Sequence, residues 1–547
     1  CQKFLEELAE EAADNDEKKT YKKVRSMKHT EARNITYARM RRCLKPEDRG
    51  GITQIEVPEW DKCKFVMILG IGTILEKAPQ ELQWWYIMYY YIIVQAFTDW
   101  KNYMIDLVSY KRIVLKDDLD KGLYLHHIKH FRQAEGTPFT VEPLKSIFGR
   151  FSETEKGQEF IKGNIKANKI TNDIYVHHFL TEIQRNKNNP PEIETNIGAT
   201  TIKSTYKNWA EKTNTSPSGR YLGLYKVWLK VPEEKEDTYK GISSQQFFEI
   251  IGNMMAIAKK HNIVFHRWST VHNIFILKQK GNTKSHRLRF LHKLESELNT
   301  ARRELITRRI MPQAEKLKHL SEDQHGGRNG RGAVDIVLGK VFKYKTFHFQ
   351  CSNVACTDCD AKACYDQIIP LVLLLAYVKL RLPYKAATYL TSILYCLQYT
   401  MSTAYGLSEH KNWFDRIGPV FRIGQGASDE PPGWGAIIDT VLKVYAKLAK
   451  GCKIKQIQPQ GVTSLKTNAD AFIDNATLLH NTSKFNTSAQ ELMLQVQHNA
   501  SIWSRLLWVT GGLLEFLKSS YFLMIWNITE ESKPYIVEEK DLLVNNV

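Results

Sequence analysis

Two short segments, far apart in the chain, each place a carboxylate at the end of an apolar run. The first holds Asp360 and then Asp366, and the second holds Asp470, Asp474 and Asn475. The second pattern predicts a tight β-hairpin with Asp474 and Asn475 in the turn, and Asp470 on the same strand face. Clustered carboxylates repel one another unless a cation is present. Asp360 and Asp474 together therefore predict a site for divalent metal ions.

The elements that position these carboxylates belong to a large and basic chain. It has 547 residues, a net charge of +18 and 11% aromatic residues. This length supports about two to four domains with a full-sized core, and the aromatic content excludes a disordered protein. The excess of Lys and Arg favours a polyanion as partner.

Cysteine usage and hydropathy predict an intracellular protein, in the cytoplasm or nucleus. The nine cysteines are scattered, which fits a reduced protein better than a disulfide scaffold. The chain shows no secretory signal, and its most apolar stretch, Trp84–Val94, is shorter than a membrane span requires. We therefore expect no membrane partner, and an aromatic stretch that packs in a core or an interface.

Composition divides the chain into four regions. Residues 1–205 are predicted to be helical, with a strongly basic part at 17–50 that could bind phosphates or form a solvated helix face. Residues 206–345 carry further basic segments, and residues 346–526 alternate short apolar strands with helices, as an α/β fold does. Residues 527–547 form a short tail.

Basic residues that could bind phosphates recur at two further places. Lys278, Arg287 and Arg289 form one group. Such cations would neutralise a polyphosphate, which Arg can bind in bidentate fashion. The other group is the segment Gln324–Arg331, in which glycines allow backbone amides to approach a nucleic-acid strand while two arginines add charge.

Two more motifs follow the first carboxylate segment, namely Gln425-Gly426 and the segment Gly511–Lys518, where a Gly lies seven residues before a Lys. Taken together, the motifs resemble those of the reverse transcriptase of a non-LTR retrotransposon-like element of algal (stramenopile) type. Asp360–Asp366 is similar to motif A, Gln425-Gly426 to motif B, Asp470–Asn475 to motif C and Gly511–Lys518 to motif D. Their order and spacing carry the resemblance.

The resemblance implies a right-hand polymerase of the α/β (α+β) class. The fingers would cover 206–345 and the palm 346–526, after a helical N-terminal region, and the thumb would be absent or truncated. The implied activity is that of an RNA-directed DNA polymerase, which adds dNTPs to a primer 3′-OH. The implied partners are an RNA template, a DNA primer and dNTPs, and the implied cofactor is Mg²⁺ or Mn²⁺.

The resemblance also implies a role for each matched residue. The implied catalytic residues are Asp360, Asp474 and Lys518, and the implied metal ligands are Asp360, Asp474 and Asn475. The nucleotide would be bound by Lys278, Arg287, Arg289, Gln425 and Gly426. The nucleic acid would be bound by Gln324, Arg328 and Arg331.

Three of the motifs depart from the family pattern. Asn475 stands where motif C has a second Asp, and it can offer a metal a carbonyl oxygen but no charge. Two acids, Asp429 and Glu430, follow motif B, and Glu515 stands where motif D usually has Asn. Asn475 predicts severely weakened or absent catalysis, and the altered motif B fits a decaying element. A catalytically dead nucleic-acid-binding remnant of a retroelement is the second hypothesis, and a structural or interaction protein built on the aromatic region is the third.

Two other groups of metal-ligand type compete with the carboxylates. Four cysteines lie within Cys351–Cys364, but strand alternation sends them to different faces, and Cys364 lies inside motif A. His126 and His130 stand four apart on a predicted helix, a spacing that can bind a metal. A hydrogen-bonded surface or core pair is the favoured reading of these histidines, since no third ligand is placed beside them.

Overall fold

The computed structural model describes most of the chain beyond residue 115 and a few residues before it. The described residues are 104–105, 112–113, 116–184, 192–210, 216–220, 222–231, 243–277, 288–403, 406–409, 411, 421–458, 461–482 and 488–538. Contacts divide the chain into two units, one of residues 1–123, 275–289 and 401–408, the other of residues 124–274, 290–400 and 409–547. The mixture of helices and strands confirms the coarse part of the predicted α/β class.

Helices form most of the described chain. They are α1 Lys116–Phe131, α2 Leu144–Phe148, α3 Glu155–Ile161, α4 Ile174–Ile183, α5 Ala199–Asn208, α6 Leu222–Trp228, α7 Ser244–His261, α8 His266–Ser269, α9 Ser296–Arg302, α10 Met311–Lys316, α11 Ala333–Phe349, α12 Pro370–Lys379, α13 Tyr384–Cys396, α14 Glu430–Leu448 and α15 Ala489–Val509. A π-helical segment, Arg303–Ile310, joins α9 to α10.

The strands are short. They are β1 Met104–Ile105, β2 Arg112–Ile113, β3 Thr270–Leu277, β4 Leu288–Lys293, β5 Asn353–Asp360, β6 Gln398–Thr403, β7 Gly406–Leu407, β8 Cys452–Gln458, β9 Gly461–Thr467, β10 Ala469–Phe472, β11 Asn475–Thr482, β12 Ser520–Met524, β13 Trp526–Ile528 and β14 Pro534–Ile536. They include two four-stranded sheets, with the orders β10-β11-β5-β12 and β4-β3-β6-β7.

The sheet β10-β11-β5-β12 carries both carboxylate segments. All its neighbouring strands are antiparallel, with β5 between β11 and β12. Asp360, the last residue of β5, lies opposite Asn475, the first residue of β11. The two carboxylate segments therefore meet where β5 ends and β11 begins, at one end of these adjacent strands.

Apolar layers on both faces of this sheet hold β5 in place. On one face Val354 packs with Phe347 of α11, and on the other Ala355 packs with Leu492 of α15. Because alternate side chains of a strand point to opposite faces, β5 is apolar on both and buried over most of its length. Asp360 is therefore the last residue of a strand that is packed on both faces.

Helix α12 follows motif A and anchors the turn that leads out of it. Pro370 suits the first helical position, because its missing N–H would have no helical partner there. All residues from Pro370 to Val378 are buried, as expected for a helix that is hydrophobic all round. The apolar run Ile368–Leu375, which follows motif A, thus lies largely within a helix with the bounds Pro370–Lys379.

Several predictions lie outside the described residues, among them the basic segment 17–50 and the aromatic stretch Trp84–Val94. No helix in the described part of the chain is long and apolar enough to cross a membrane. The domain boundaries predicted at residues 205, 345 and 526 stay predictions. Helix α5 crosses the first of them, helix α11 the second and strand β13 the third.

Candidate active site

The two carboxylate segments meet through their backbones. The N–H of Ala361 donates to the carbonyl of Asp474 at 2.9 Å, next to the Asp360–Asn475 pair. The hairpin turn differs by one position from the prediction. Because Phe472 and Asn475 form the last pair of the ladder, the two turn residues are Ile473 and Asp474, and Asn475 already belongs to β11.

Lys518 completes this corner of the sheet. Its Nζ lies 2.8 Å from Oδ2 of Asp360, and this hydrogen bond is the main cause that raises the pKa of Lys518. The backbone of the same segment docks beside it, since the N–H of Glu515 donates to the carbonyl of Asp360 at 2.8 Å. The negative charge of Asp474 raises the pKa of Lys518 further. The structure thus brings together Asp360, Asp474 and Lys518, which lie far apart in sequence.

Oxygen donors at this corner suit a hard divalent cation. Asp360 and Asp474 supply carboxylates, and the exposed Asn475 supplies an amide whose Nδ2 lies 3.5 Å from Oδ1 of Asp474. Mg²⁺ is bound by one or two carboxylates together with waters and phosphate oxygens, so this donor set fits it once Lys518 leaves Asp360. The described residues contain no group of three or more His, Cys, Asp or Glu side chains arranged for a metal.

The segment Gln324–Arg331 supports the hairpin instead of offering all its side chains to a ligand. Gln324 is buried and its Nε2 donates to the carbonyl of Gly326 at 3.0 Å. Arg328 is buried and bonded to Glu315 at 2.6 Å and to two backbone carbonyls. Oε1 of Gln324 is buried without a hydrogen-bond partner among the described residues. Because both side chains are buried, neither is presented to a ligand in this structure, and their contact with nucleic acid stays a prediction. Arg331 is partly exposed but paired with Glu322.

The same segment fixes the position of the turn. The N–H of His325 donates to the carbonyl of Ala471 at 2.9 Å, and the indole N–H of Trp434 donates to the carbonyl of Ile473 at 2.7 Å. Ile473 has φ of +58°, which is a rare conformation for a β-branched residue. Such an outlier persists only where its surroundings hold it, and these hydrogen bonds supply that restraint.

Gly326 lies directly against the turn, and a methyl group there is expected to displace it. An added Cβ would meet the backbone N of Ile473 well inside van der Waals distance. We expect Gly326→Ala to destabilise the protein by about 1–3 kcal/mol, measured by thermal unfolding. The control is Gly339→Ala, in α11, where a Cβ meets nothing within 4 Å and the change should stabilise by up to about 1 kcal/mol. Equal effects of the two variants would contradict the close packing of Gly326.

The motif B loop is held between motif A and strand β4. Nε2 of Gln425 donates to Oδ2 of Asp366 at 3.3 Å, and the carbonyl of Gln425 accepts from the N–H of His292 at 2.6 Å. Gly424 and Gly426 have φ of +97° and +106°. A Cβ at either glycine would lie 2.6 Å from an atom of His292. Only glycine fits these two positions.

The two acids after motif B are both compensated. Asp429 is buried and paired with Arg302 at 2.9 Å. Glu430 accepts from the N–H of Gly426 at 2.9 Å, and burial is the largest cause that raises its pKa to about 8. Glu430 is thus mostly protonated at neutral pH. The acids that depart from the family pattern therefore add little repulsion towards a polyanion.

The raised pKa of Glu430 predicts a pH-dependent stability. Between about pH 5 and pH 8 the folded state holds a proton that the unfolded state has lost, so stability falls as pH rises through this window. Glu430→Gln removes this loss. From pH 5 to pH 8 we expect the free energy of unfolding of the variant to rise relative to that of the native chain by at most about 1.4 kcal/mol per pH unit, and its melting temperature to rise relative to the native one accordingly. Parallel melting curves across this window would contradict the raised pKa.

The predicted triphosphate cations are placed only in part. Lys278 and Arg287 lie outside the described residues, and Arg289 is exposed on β4. Arg289 belongs to the smaller unit, whereas the corner formed by Asp360, Asp474 and Lys518 belongs to the larger one. Their roles in nucleotide binding stay predictions.

The environments of the cysteine group and of His130 do not favour metal binding. Cys356, Cys359 and Cys364 are buried, and burial raises the pKa of each thiol, which disfavours the thiolate that zinc requires. His130 contacts Asp366 at 2.9 Å. The sequence analysis did not predict this contact. Its only indication was that His130 belongs to the predicted histidine pair and Asp366 to motif A.

Neither a protein-family model nor a curated protein matches this chain.

Proposed function

We propose that this protein is an RNA-directed DNA polymerase, a reverse transcriptase with fingers and palm. The observation that carries the proposal is the corner where Asp360, Asp474 and Lys518 meet, with Nζ of Lys518 2.8 Å from Asp360. These residues come from three distant segments whose order matches motifs A, C and D. Two carboxylates and an ammonium at adjacent strand ends form a reasonable centre for nucleotidyl transfer.

Asp360 and Asp474 would hold Mg²⁺ or Mn²⁺, with Asn475 as a neutral oxygen donor. When bound, the divalent ions would activate the primer 3′-OH and neutralise charge on the transferred phosphate. Lys518 neutralises Asp360 in the structure. Once released from that carboxylate, its ammonium can donate a proton to the departing pyrophosphate.

The partners of this reaction follow from the proposed function. Lys278, Arg287 and Arg289 would bind the dNTP triphosphate, and Gln425 with Gly426 would position the template. An RNA template paired with a DNA primer would be held through its backbone, which the net charge of +18 favours. An intracellular location in cytoplasm or nucleus belongs to the same proposal.

A second candidate function is nucleic-acid binding without catalysis. Asn475 favours it, because the amide adds no negative charge for a metal, and so does the ion pair that occupies Asp360. In that case the chain would bind nucleic acid with steep salt dependence but would not extend a primer.

Primer extension on an RNA template, with Mg²⁺ or Mn²⁺, distinguishes these functions. Divalent-dependent extension by the native chain, or by the chain with Asn475→Asp, supports the polymerase. Salt-sensitive binding of a primer–template without extension by either chain supports the second function. Neither extension nor salt-sensitive binding would reject both proposals.

A further inference from the structure

Asp366, six residues after Asp360, is a buried carboxylate that the proposed chemistry does not use. It is 2% exposed. Its Oδ2 lies 2.9 Å from Nε2 of His130 and 3.3 Å from Nε2 of Gln425. Its Oδ1 has no hydrogen-bond partner among the described residues. Asp366 thus connects helix α1 to the motif B loop through one oxygen.

This contact fixes which end of the Gln425 carboxamide faces the protein. Nε2 of Gln425 is the atom that donates to Oδ2 of Asp366, so Oε1 at the other end of the carboxamide faces away from Asp366. The backbone of Gln425 is held independently by the N–H of His292. Gln425 is therefore restrained at both its side chain and its backbone, and only one amide orientation satisfies Asp366.

Donor and cationic groups surround Asp366. The ring of His130 stacks on Phe290 with centroids 5.0 Å apart, which aims Nε2 at the carboxylate. Arg422, whose guanidinium carbon lies 3.2 Å from the ring centroid of Tyr399, attracts Asp366 electrostatically. Asp366 can therefore act as a fixed acceptor for Gln425.

We propose that Asp366 and His130 are positioning residues that turn Oε1 of Gln425 towards the template and incoming nucleotide, so that this oxygen helps to select the matched base. The inference rests on the proposed polymerase function. Neither residue touches the reacting atoms. Both act through Gln425, and their loss should impair nucleotide selection more than the chemical step.

The test uses two histidines of one helix. His126 and His130 both stack on Phe290, at 5.1 Å and 5.0 Å, but only His130 contacts Asp366 in the described part of the chain. The variants His130→Asn and His126→Asn lose the same type of ring. They are compared in whichever background extends a primer, the native chain or Asn475→Asp. The readouts are kcat, the KM for dNTP, and the ratio of matched to mismatched incorporation.

We expect His130→Asn to raise the KM for the matched dNTP about tenfold and to lower discrimination, with kcat changed by less than about twofold, because the contact that holds Asp366 against Gln425 is lost. His126→Asn should leave discrimination unchanged. In a Gln425→Ala background, His130→Asn should add no further loss of discrimination. Equal losses with and without Gln425, or equal losses for the two histidine variants, would overturn the proposal.

A second measurement separates this proposal from the polymerase function itself. Melting temperatures of His130→Asn, Gln425→Ala and the double variant report whether the two side chains are coupled, with no need for activity. Additive shifts would overturn the connection. Coupled shifts together with extension and the expected kinetics support it. Coupled shifts in a chain that extends no primer, even with Asn475→Asp, would reject the polymerase function and the selection role with it.

Discussion

Asp360→Asn is expected to lower divalent-dependent primer extension by at least about 10³-fold in whichever background extends a primer, the native chain or Asn475→Asp. This loss corresponds to about 4 kcal/mol of transition-state stabilisation. The carboxylate lies at the end of β5, beside Asp474 and Lys518. The substituted amide keeps the shape of the side chain but removes the charge that binds a metal ion. Extension rates at saturating primer–template, in Mg²⁺ and in Mn²⁺, measure the effect.

Asp358→Asn is the matched control for this loss. Asp358 lies two residues earlier on β5, and therefore on the same strand face. It contacts Lys340 of α11 at 3.7 Å and the hydroxyl of Thr477. We expect its variant to keep extension within about threefold, since an exposed ion pair contributes at most about 1 kcal/mol. Equal losses for the two variants would indicate that the sheet end, not a metal ligand, had been damaged.

Thermal unfolding shows whether Asp360→Asn acts through the fold. Lys518, the partner of Asp360, is 62% exposed, and ion pairs of this kind contribute little to stability. We therefore expect little change in melting temperature beside a large change in rate. A large fall in melting temperature would contradict a role confined to chemistry.

The strand-end carboxylates could be predicted from sequence because their signal is local. An apolar run that stops at Asp360, and a second that stops before Asp474, already specify buried strands with polar ends. The helix after motif A was equally clear, because its residues are apolar all round. The turn was misplaced by one residue, since two adjacent polar side chains gave no reason to prefer either as the last strand residue.

Contacts between distant segments could not be predicted. The pair His130 and Asp366 spans 236 positions, and no periodicity within either segment indicates it. Arg328 is an example of a local signal whose side chain is used differently in the fold. An arginine between glycines is typical of a phosphate site, but here Glu315 and the carbonyls of Ser321 and Gln324 surround it. Residue type gives the possible chemistry, whereas tertiary packing decides whether solvent or protein receives the side chain.

Asn475→Asp is expected to increase divalent-dependent extension by about 10²-fold or more, if a charged ligand contributes about 3 kcal/mol to the transition state. Asn475 is exposed, lies opposite Asp360 and has its Nδ2 3.5 Å from Oδ1 of Asp474. In the native chain this amide can donate to Asp474 without any metal. An aspartate would replace that donor by a third negative charge and strengthen binding of the divalent ion.

The same substitution predicts a stability effect that needs no catalysis. Without divalent ions, repulsion among Asp360, Asp474 and the new carboxylate should lower the melting temperature, and Mg²⁺ should restore it, because a ligand that binds only the folded state stabilises it. The control is Asn527→Asp, at an exposed position on β13, which should show no such response to Mg²⁺. If neither extension nor the melting temperature of Asn475→Asp depends on Mg²⁺, the sheet end is not a metal site. The polymerase proposal then fails, because it rests on Asp360 and Asp474 as metal ligands.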